Sequence, residues 1–383
     1  MENKKKVLVL AFNQLKHDAR ITRQVKFLKD DYSVDVFCFA KTDIEGVDFI
    51  EVKQTPLTLF RKALAALFLI TRLYKTAYWV LHAYKDQVDK LRTNNYDIIV
   101  ANDVETLHMA FAIHNKVLFD AHEYAPRHFE DKLWFRVFFQ GFNQYFCKLY
   151  IPRVARMTTV CDGLAEEYEK NFGVRPEIIT NAPKYHDTEP TKTDPKNIRM
   201  IHMGVANFSR KLENMVEVVN TLGDPYTLDL MLLTPTYAST QTKMYVENLK
   251  QEIADNPRVN IIDPVRSEMV VDKIKEYDIG IFLLEPVNFN YTFALPNKLF
   301  EFIQARLAVA IGPSIEMAKI VKKYNNGVVS ENFTPDSLAL SMKAISIEDI
   351  DQMKLNSSTA AIDLSAEKNA EIMKLLCKEI LID

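Results

Sequence analysis

A lysine in the first turn of one helix and an arginine–lysine pair at the start of another are the residues here whose types and places could do chemistry. Segment 278–312 reads as an apolar run at 279–284, a loop with Glu285, Asn290 and Tyr291, and then Pro296-Asn297-Lys298. That triplet opens a helix on which Leu299, Phe300, Ile303 and Leu307 keep helical spacing. Pro296 suits a helix start, where a missing N–H leaves nothing unsatisfied. The amides after it lack intrahelical partners and carry the positive end of the dipole. Lys298 therefore has the wrong sign for helix stability, and Glu301 the right one. A bound anion such as a diphosphate accounts for the lysine. Glu301, one turn in, could accept two hydrogen bonds from a vicinal diol such as a ribose. The plainer alternative is a solvated lysine and a glutamate that only pairs with the dipole. Upstream, Arg210 and Lys211 stand at the start of a helix predicted over 211–222, with Leu212, Met215, Val216 and Val219 on one face. If both helix starts face one crevice, they form a diphosphate pocket without glycines or metal.

The first half offers further polar groups at predicted strand ends. Asn13 lies in the loop after the first strand, 7–12. Asn102-Asp103-Val104-Glu105 follows a strand ending at Ala101, and Asn102 with Glu105 fits a capping box, which leaves Asp103 to face a ligand. Asp120-Ala121-His122-Glu123 follows the strand 116–119. His122 thus stands just past a strand's carboxyl end, where open α/β sheets bind ligands, although a loop histidine also serves as a hydrogen-bonded structural residue.

The elements that position these groups alternate strand and helix. Strands are predicted at 7–12, 34–40, 96–101, 116–119, 157–161 and 176–180, and again at 197–203, 228–233, 259–262, 279–284, 307–311 and 327–329. Such alternation predicts α/β domains with parallel sheets. The polar stretch from Pro183, with three prolines, is the best linker. The resulting organisation is a first Rossmann-like domain at 1–182, a linker at 183–196 and a second Rossmann-like domain at 197–364. A C-terminal helix at 365–383 packs through Ile372, Leu375, Leu376 and Ile380, and could cross back to the first domain.

Composition sets limits. At 383 residues there is room for two cores, and a net charge of −3 gives no reason to expect nucleic acid. The 9 glycines are scattered, none closer than Gly163 and Gly173, which excludes G-x-G-x-x-G and the P-loop. Cys38, Cys147, Cys161 and Cys377 show no ligand spacing and read as reduced, cytoplasmic residues. The basic N-terminus with its short apolar run reads as a first strand, not a signal peptide. No metal is expected, because the single D-x-D, Asp349-Ile350-Asp351, sits in a polar helical segment.

Two stretches, 57–84 and 132–156, mix aromatic with basic residues. The first holds Arg61, Lys62, Arg72 and Lys75; the second holds Trp134, Phe135, Phe138, Phe139 and Phe142 among Lys132, Arg136, Lys148, Arg153 and Arg156. The longest uncharged run, 63–71, is too short to span a bilayer. This mixture suits interfacial helices on an anionic membrane, or core helices whose basic side chains snorkel outward.

In order and spacing these segments resemble glycosyltransferase family 4, retaining enzymes of the GT-B fold. HDARITRQVKFL is similar to the family's D-x-R segment, and DIIVANDVETL with VLFDAHEY to its strand pair ending in D-x-H-E. TTVCDGLAEEYEKNFG and IITNAP resemble the interdomain segment, MGVANFSRKLENMVEVV the diphosphate loop and helix, and LPNKLFEFIQARLAVAIG the donor-site helix. The resemblance implies two Rossmann-like domains whose parallel sheets face a central cleft. It implies that Arg210, with Lys211 or Lys298, neutralises the donor diphosphate, and that amides near Asn297, Lys298 and Leu299 bind phosphate oxygens. Glu301 would take the ribose, and His122 would act as the catalytic residue that contacts and places the sugar. It also implies a nucleotide-sugar donor, a lipid-linked or growing glycan acceptor in surface-polysaccharide synthesis, retention of anomeric configuration, and no metal or other cofactor.

Two departures stand out. The family's E-x7-E pattern places a carboxylate where this chain has Phe293, so either Glu285 serves from the loop or the sugar is held differently. The loop after the first strand, Asn13-Gln14-Leu15-Lys16-His17, lacks glycine, so acceptor-side contacts fall to Asn13, Asp103 and Glu123. The competing expectations are a GT-B sugar-nucleotide 2-epimerase and a non-catalytic GT-B subunit that binds a membrane or partner.

Overall fold

The computed structural model describes residues 4–234 and 238–382. The described chain divides into two compact units, Met1–Thr180 with Asn288–Asn290 and Asn369–Asp383, and Asn181–Val287 with Tyr291–Lys368. In each, short apolar runs became parallel strands covered on both faces, as near-continuous Val/Ile/Leu runs require.

The first unit holds seven strands: β1 (Lys6–Leu10), β2 (Ser33–Cys38), β3 (Asp48–Glu51), β4 (Ile98–Asn102), β5 (Val117–Ala121), β6 (Arg156–Thr159) and β7 (Glu177–Ile178). They are ordered β3-β2-β1-β4-β5-β6-β7, with every pairing parallel. Edge strand β3 was not expected from the sequence; its four residues are half-buried at most and leave no apolar run to read. The helix Ala19–Leu28 buries Ile21, Val25 and Leu28 as its spacing predicts, and Arg20 and Gln24 beside them.

The second unit holds β8 (Ile198–Val205), β9 (Tyr226–Leu233), β10 (Val259–Ile262), β11 (Ile279–Phe282), β12 (Ala308–Ile311) and β13 (Gly327–Val329). Their order is β10-β9-β8-β11-β12-β13, again wholly parallel. Both sheets reverse direction beside their first strand, at β1/β4 and at β8/β11. Crevices at such switch points, outside the carboxyl ends of the strands, are where doubly wound sheets take ligands.

Two local expectations need correction. The C-terminal helix, Ala366–Ile382, buries Met373, Leu376, Cys377 and Ile380 in the first unit's core, while Leu375 is 56% exposed. The stripe is rotated because Met373 and Cys377 are as apolar as the leucines and complete the i, i+3, i+4 row. The stretch 57–84 is two helices, Leu59–Ile70 and Tyr74–Leu81, broken where Arg72 adopts φ 60°. The stretch after Pro183 has neither helix nor strand, yet it is tied to its own unit. Gln304 accepts from the His186 amide at 3.0 Å, Asp351 from the Thr193 amide at 3.0 Å, and buried Lys354 donates to Thr191 at 3.1 Å and Asp278 at 2.7 Å. Asp351 thus has a structural task. Asp349 has another, in a capping box with Ser346.

Candidate functional site

In the second unit the switch point collects cations. Strand β8 ends in Gly204 at φ 139°, a conformation L side chains rarely adopt, and a Cβ there would lie 3.1 Å from Arg210 Nη1 and 3.2 Å from Lys298 Nζ. Glycine therefore leaves room for two cationic groups that converge on one point. Arg210 lies in the 3-10 turn Phe208–Arg210, and Lys211 follows at φ 44°. The helix itself begins only at Glu213, so Arg210 and Lys211 precede it instead of occupying its first turn as expected. That first turn is acidic: Glu213 accepts from Tyr245, whose hydroxyl also accepts from the Leu212 amide at 2.7 Å. The local reason is the left-handed turn at Lys211, which delays the helix by two residues.

Helix Asn297–Gln304 runs from Pro296, and no side chain caps its start. The Leu299 amide is already used, donating to the Pro296 carbonyl at 3.2 Å, which leaves the amides of Asn297 and Lys298 in the uncapped turn. Asn297 is exposed, Leu299 buried, and Glu301 half-buried one turn on. Lys298 is 5% exposed, so it is not a solvated lysine. Its Nζ lies 3.2 Å from His202 Nε2 and 3.9 Å from the centroid of the Phe282 ring. Burial and the nearby Arg210 push its pKa well below the ordinary lysine value, against the pull of Glu301. Strand and helix approach closely here because Gly280 on β11 faces Phe302, where a Cβ would come within 2.2 Å of the ring. Lys211 and Glu285 hold each other at 2.6 Å, both partly exposed.

In the first unit the switch point collects charges of both signs. Asp103 caps the helix Val104–Ile113 at φ 60°, ψ 164°, a region almost confined to glycine, and no side chain of its own bonds that helix. The expected Asn102–Glu105 capping box is therefore absent. Asn102 instead donates to the Leu10 carbonyl at 3.2 Å and to Gln24 at 2.9 Å. Asp103 turns towards His122, accepting from its amide at 3.1 Å and facing Nδ1 at 3.1 Å. His122 Nε2 lies 3.3 Å from Asp120 and 3.3 Å from Asn102 Oδ1.

Asp120 is 1% exposed and receives Arg20 through Nε at 3.0 Å and Nη2 at 2.5 Å, Gln24 at 3.0 Å and Thr158 at 2.8 Å. Burial raises the Asp120 pKa, but Arg20 and His122 outweigh it and keep the carboxyl far below its usual range. Burial likewise opposes charge on His122, yet Asp103 and Asp120 raise its pKa to about 10. His122 is thus an imidazolium with both ring nitrogens against carboxylates, held in place and not free to accept a proton.

Nearby, Glu123 pairs with His128 at 2.6 Å, and burial with the neighbouring Asp103 lifts Glu105 to about 7. Asn13 is bound into its own loop, donating to Asp18 at 2.6 Å and accepting from the Gln14 amide at 2.8 Å. Sequence reading missed three of these groups: Arg20, Gln24 and His202. Each carried a signal, since a polar residue on a buried helix stripe or inside the apolar run IRMIHMGV needs a buried partner. Among the described residues no group of three or more His, Cys, Asp or Glu is placed to hold a metal ion.

The aromatic–basic stretches present two faces. Tyr74, Tyr78, Phe142, Phe146 and Tyr150 stack inward on one another. Leu59 (85%), Phe60 (76%), Ile70 (62%), Leu133 (67%), Trp134 (51%) and Val137 (54%) are exposed. No helix among the described residues is long and apolar enough to cross a membrane.

No protein-family model matches the chain, and no curated protein does so. Solved structures do. Sucrose-phosphate synthase from Thermosynechococcus elongatus is similar at TM-score 0.74 and 12% identity, over 99% of this chain and 100% of that one. Trehalose-6-phosphate synthase from E. coli, bound with UDP-2-fluoro glucose, is similar at TM-score 0.71 and 9% identity, over 98% and 99%. Anabaena HepE in complex with UDP and glucose is similar at TM-score 0.65 and 14% identity, over 98% and 99%. With its two wholly parallel sheets and these likenesses, the chain has the α/β GT-B fold of two Rossmann-like units.

Proposed function

We propose that the protein is a glycosyltransferase that moves a sugar from a nucleotide diphosphate donor to a lipid-linked or growing glycan, as in surface-polysaccharide synthesis, with retention at the anomeric carbon. The observation that carries this reading is the convergence of Arg210 and buried Lys298 on Gly204, beside the uncapped start of helix Asn297–Gln304. Among the described residues neither cation is ion-paired with a carboxylate. Two such cations and two open amides suit the charge and oxygens of a diphosphate. Glu301 is the ribose partner in this reading. Lys211 with Glu285 stands at the pocket's edge, where Glu285 takes the sugar contact that Phe293 does not supply. The similar structures bound with UDP or a UDP sugar support a nucleoside diphosphate as the leaving group. Positioning and charge stabilisation then do the work, with no metal required.

The first unit's share is recognition of the sugar and acceptor, by His122 with Asp103, Glu123 and Asn13. A non-catalytic subunit or a 2-epimerase finds no comparable support, since a scaffold has no use for a buried, uncompensated lysine. The exposed apolar rim with Lys62, Arg72, Lys75, Lys132 and Arg136 suits the cytoplasmic face of an anionic membrane.

The central test is thermal stabilisation by UDP, GDP, ADP and CMP, with EDTA and with magnesium. Ligand at 100 times its Kd adds about 2.7 kcal/mol. One nucleoside diphosphate should stabilise the protein equally in EDTA, and Glu301→Ala should lose the effect; no shift from any nucleotide refutes the donor pocket. Membrane docking has a separate check. Flotation with vesicles containing phosphatidylserine should carry the protein upward at low salt, and Phe60→Ser with Trp134→Ser should leave it at the bottom.

A further inference from the structure

The second unit's cation cluster contains an imidazole with no part in the reading above. His202 is wholly buried on β8, between Ile201 and Met203. Its Nδ1 lies 3.1 Å from the Ile281 carbonyl oxygen and its Nε2 lies 3.2 Å from Lys298 Nζ. A carbonyl only accepts, so Nδ1 carries the hydrogen and Nε2 keeps a lone pair for Lys298 to donate into.

The neutral ring therefore fixes the amine in direction, over Phe282 and beside Gly204. The charged and titratable groups that face Lys298 are His202 on β8, Arg210 from the loop after it, and Glu301 one turn along its own helix. One of these is a carboxylate, one a guanidinium and one a neutral base, so the pocket does not itself compensate a second positive charge. Burial and Arg210 accordingly lower the Lys298 pKa, and burial and Lys298 lower that of His202.

We propose that His202 is a positioning residue that holds Lys298 as a neutral amine in the empty pocket, and that a sugar nucleotide binds there together with a proton taken from solvent onto Lys298. The inference rests on the donor-pocket reading. The balance is simple: amine, proton and diphosphate diester become ammonium and bound diester, and no covalent bond to carbon forms or breaks. The second charge is thus supplied only when an anion arrives to meet it, and the unliganded protein is spared a buried ammonium beside the half-buried Arg210 guanidinium.

Calorimetric titration with UDP-glucose, GDP-mannose and ADP-glucose, in HEPES and in Tris between pH 7 and pH 9, tests this. A sugar nucleotide is a diphosphate diester with no secondary phosphate proton, so uptake reports on the protein. The observed enthalpy should shift with buffer ionisation enthalpy by about one proton per ligand, and affinity should fall by up to about tenfold per pH unit. Lys298→Met should abolish the uptake. His202→Phe, which keeps the ring's bulk beside Phe282, should weaken binding about tenfold or more and raise the donor KM more than it lowers kcat. His202→Gln, with an amide oxygen in place of Nε2, should recover most of that loss. Binding without proton uptake overturns the proposal and leaves the donor pocket standing. Wild-type affinity and uptake in His202→Phe reduce His202 to packing and overturn its positioning role. No binding by any of the three overturns the donor-pocket reading and this inference with it.

Discussion

The two switch points of this protein solve opposite electrostatic problems. In the first unit, Arg20 and His122 face Asp103 and Asp120, so two cations and two carboxylates close into a neutral network with nearly every lone pair and N–H used. In the second, Arg210 and Lys298 converge with no carboxylate paired to either among the described residues. A closed network positions its members and has no affinity to spare for an anion. An open one reaches its full charge only when an anion arrives to meet it. Folding strain follows the same division: Asp103 sits at φ 60° and ψ 164° to complete its network, whereas Gly204 at φ 139° avoids strain where the cations need space.

The comparison is broken most severely by opening the closed network. Asp120→Ala leaves Arg20 buried with no carboxylate within its fork, and Thr158 and Gln24 lose an acceptor. Removal of one partner from a buried pair costs about 3–5 kcal/mol. Urea unfolding should show a loss of that size, and a loss under about 1 kcal/mol would mean the network is solvated and not closed.

Alkaline titration sharpens the contrast, because the two sites pull stability in opposite directions. His122 has its folded pKa raised to about 10. Its contribution is therefore fully present below its unfolded value of about 6.5 and is lost as pH rises through about 10. Lys298 has its folded pKa depressed, so between that value and its unfolded value of about 10.4 the unfolded chain binds the extra proton and stability rises with pH. Each slope is at most about 1.4 kcal/mol per pH unit. Where the two windows overlap below about pH 10 the slopes oppose, so the wild type should have the flattest Tm of the three proteins. His122→Asn should make Tm rise with pH, and Lys298→Met should make it fall. Parallel curves for all three proteins would contradict the assigned charge states.

Much of this architecture was legible before the structure, and the reasons separate cleanly. Buried parallel strands need unbroken apolar runs, so β1, β4, β8 and β11 could be placed from sequence to within a residue or two. Lys298 stood out as a cation in the first turn of a helix, whereas Arg210 lies in a turn that precedes its helix and meets Lys298 only beside Gly204. What could not be read depended on backbone turns and on partners distant in sequence. Nothing in RKLEN announces that Lys211 turns left-handed and postpones its helix to Glu213. Asn102 and Glu105 matched a capping box, yet Asp103 takes the N-cap position and turns towards His122, 19 residues on. Arg20 gained meaning only through Asp120, 100 residues away.

The smallest expected effect discriminates best between the sites. Lys298→Met removes a buried amine whose side-chain hydrogen-bond partner is the neutral His202 ring, and methionine fills the same channel over Phe282 with apolar atoms. Replacement of a buried ionisable group that has no carboxylate partner by a hydrophobe of similar shape is neutral or stabilising. We therefore expect the unliganded variant to unfold at the wild-type Tm or a few degrees above it, a gain of about 0–1 kcal/mol. Stabilisation by the nucleoside diphosphate should vanish in the same sample. A substitution that lowers Tm while nucleotide binding persists would make Lys298 a structural residue like Arg20, and the two switch points would then differ in composition but not in purpose.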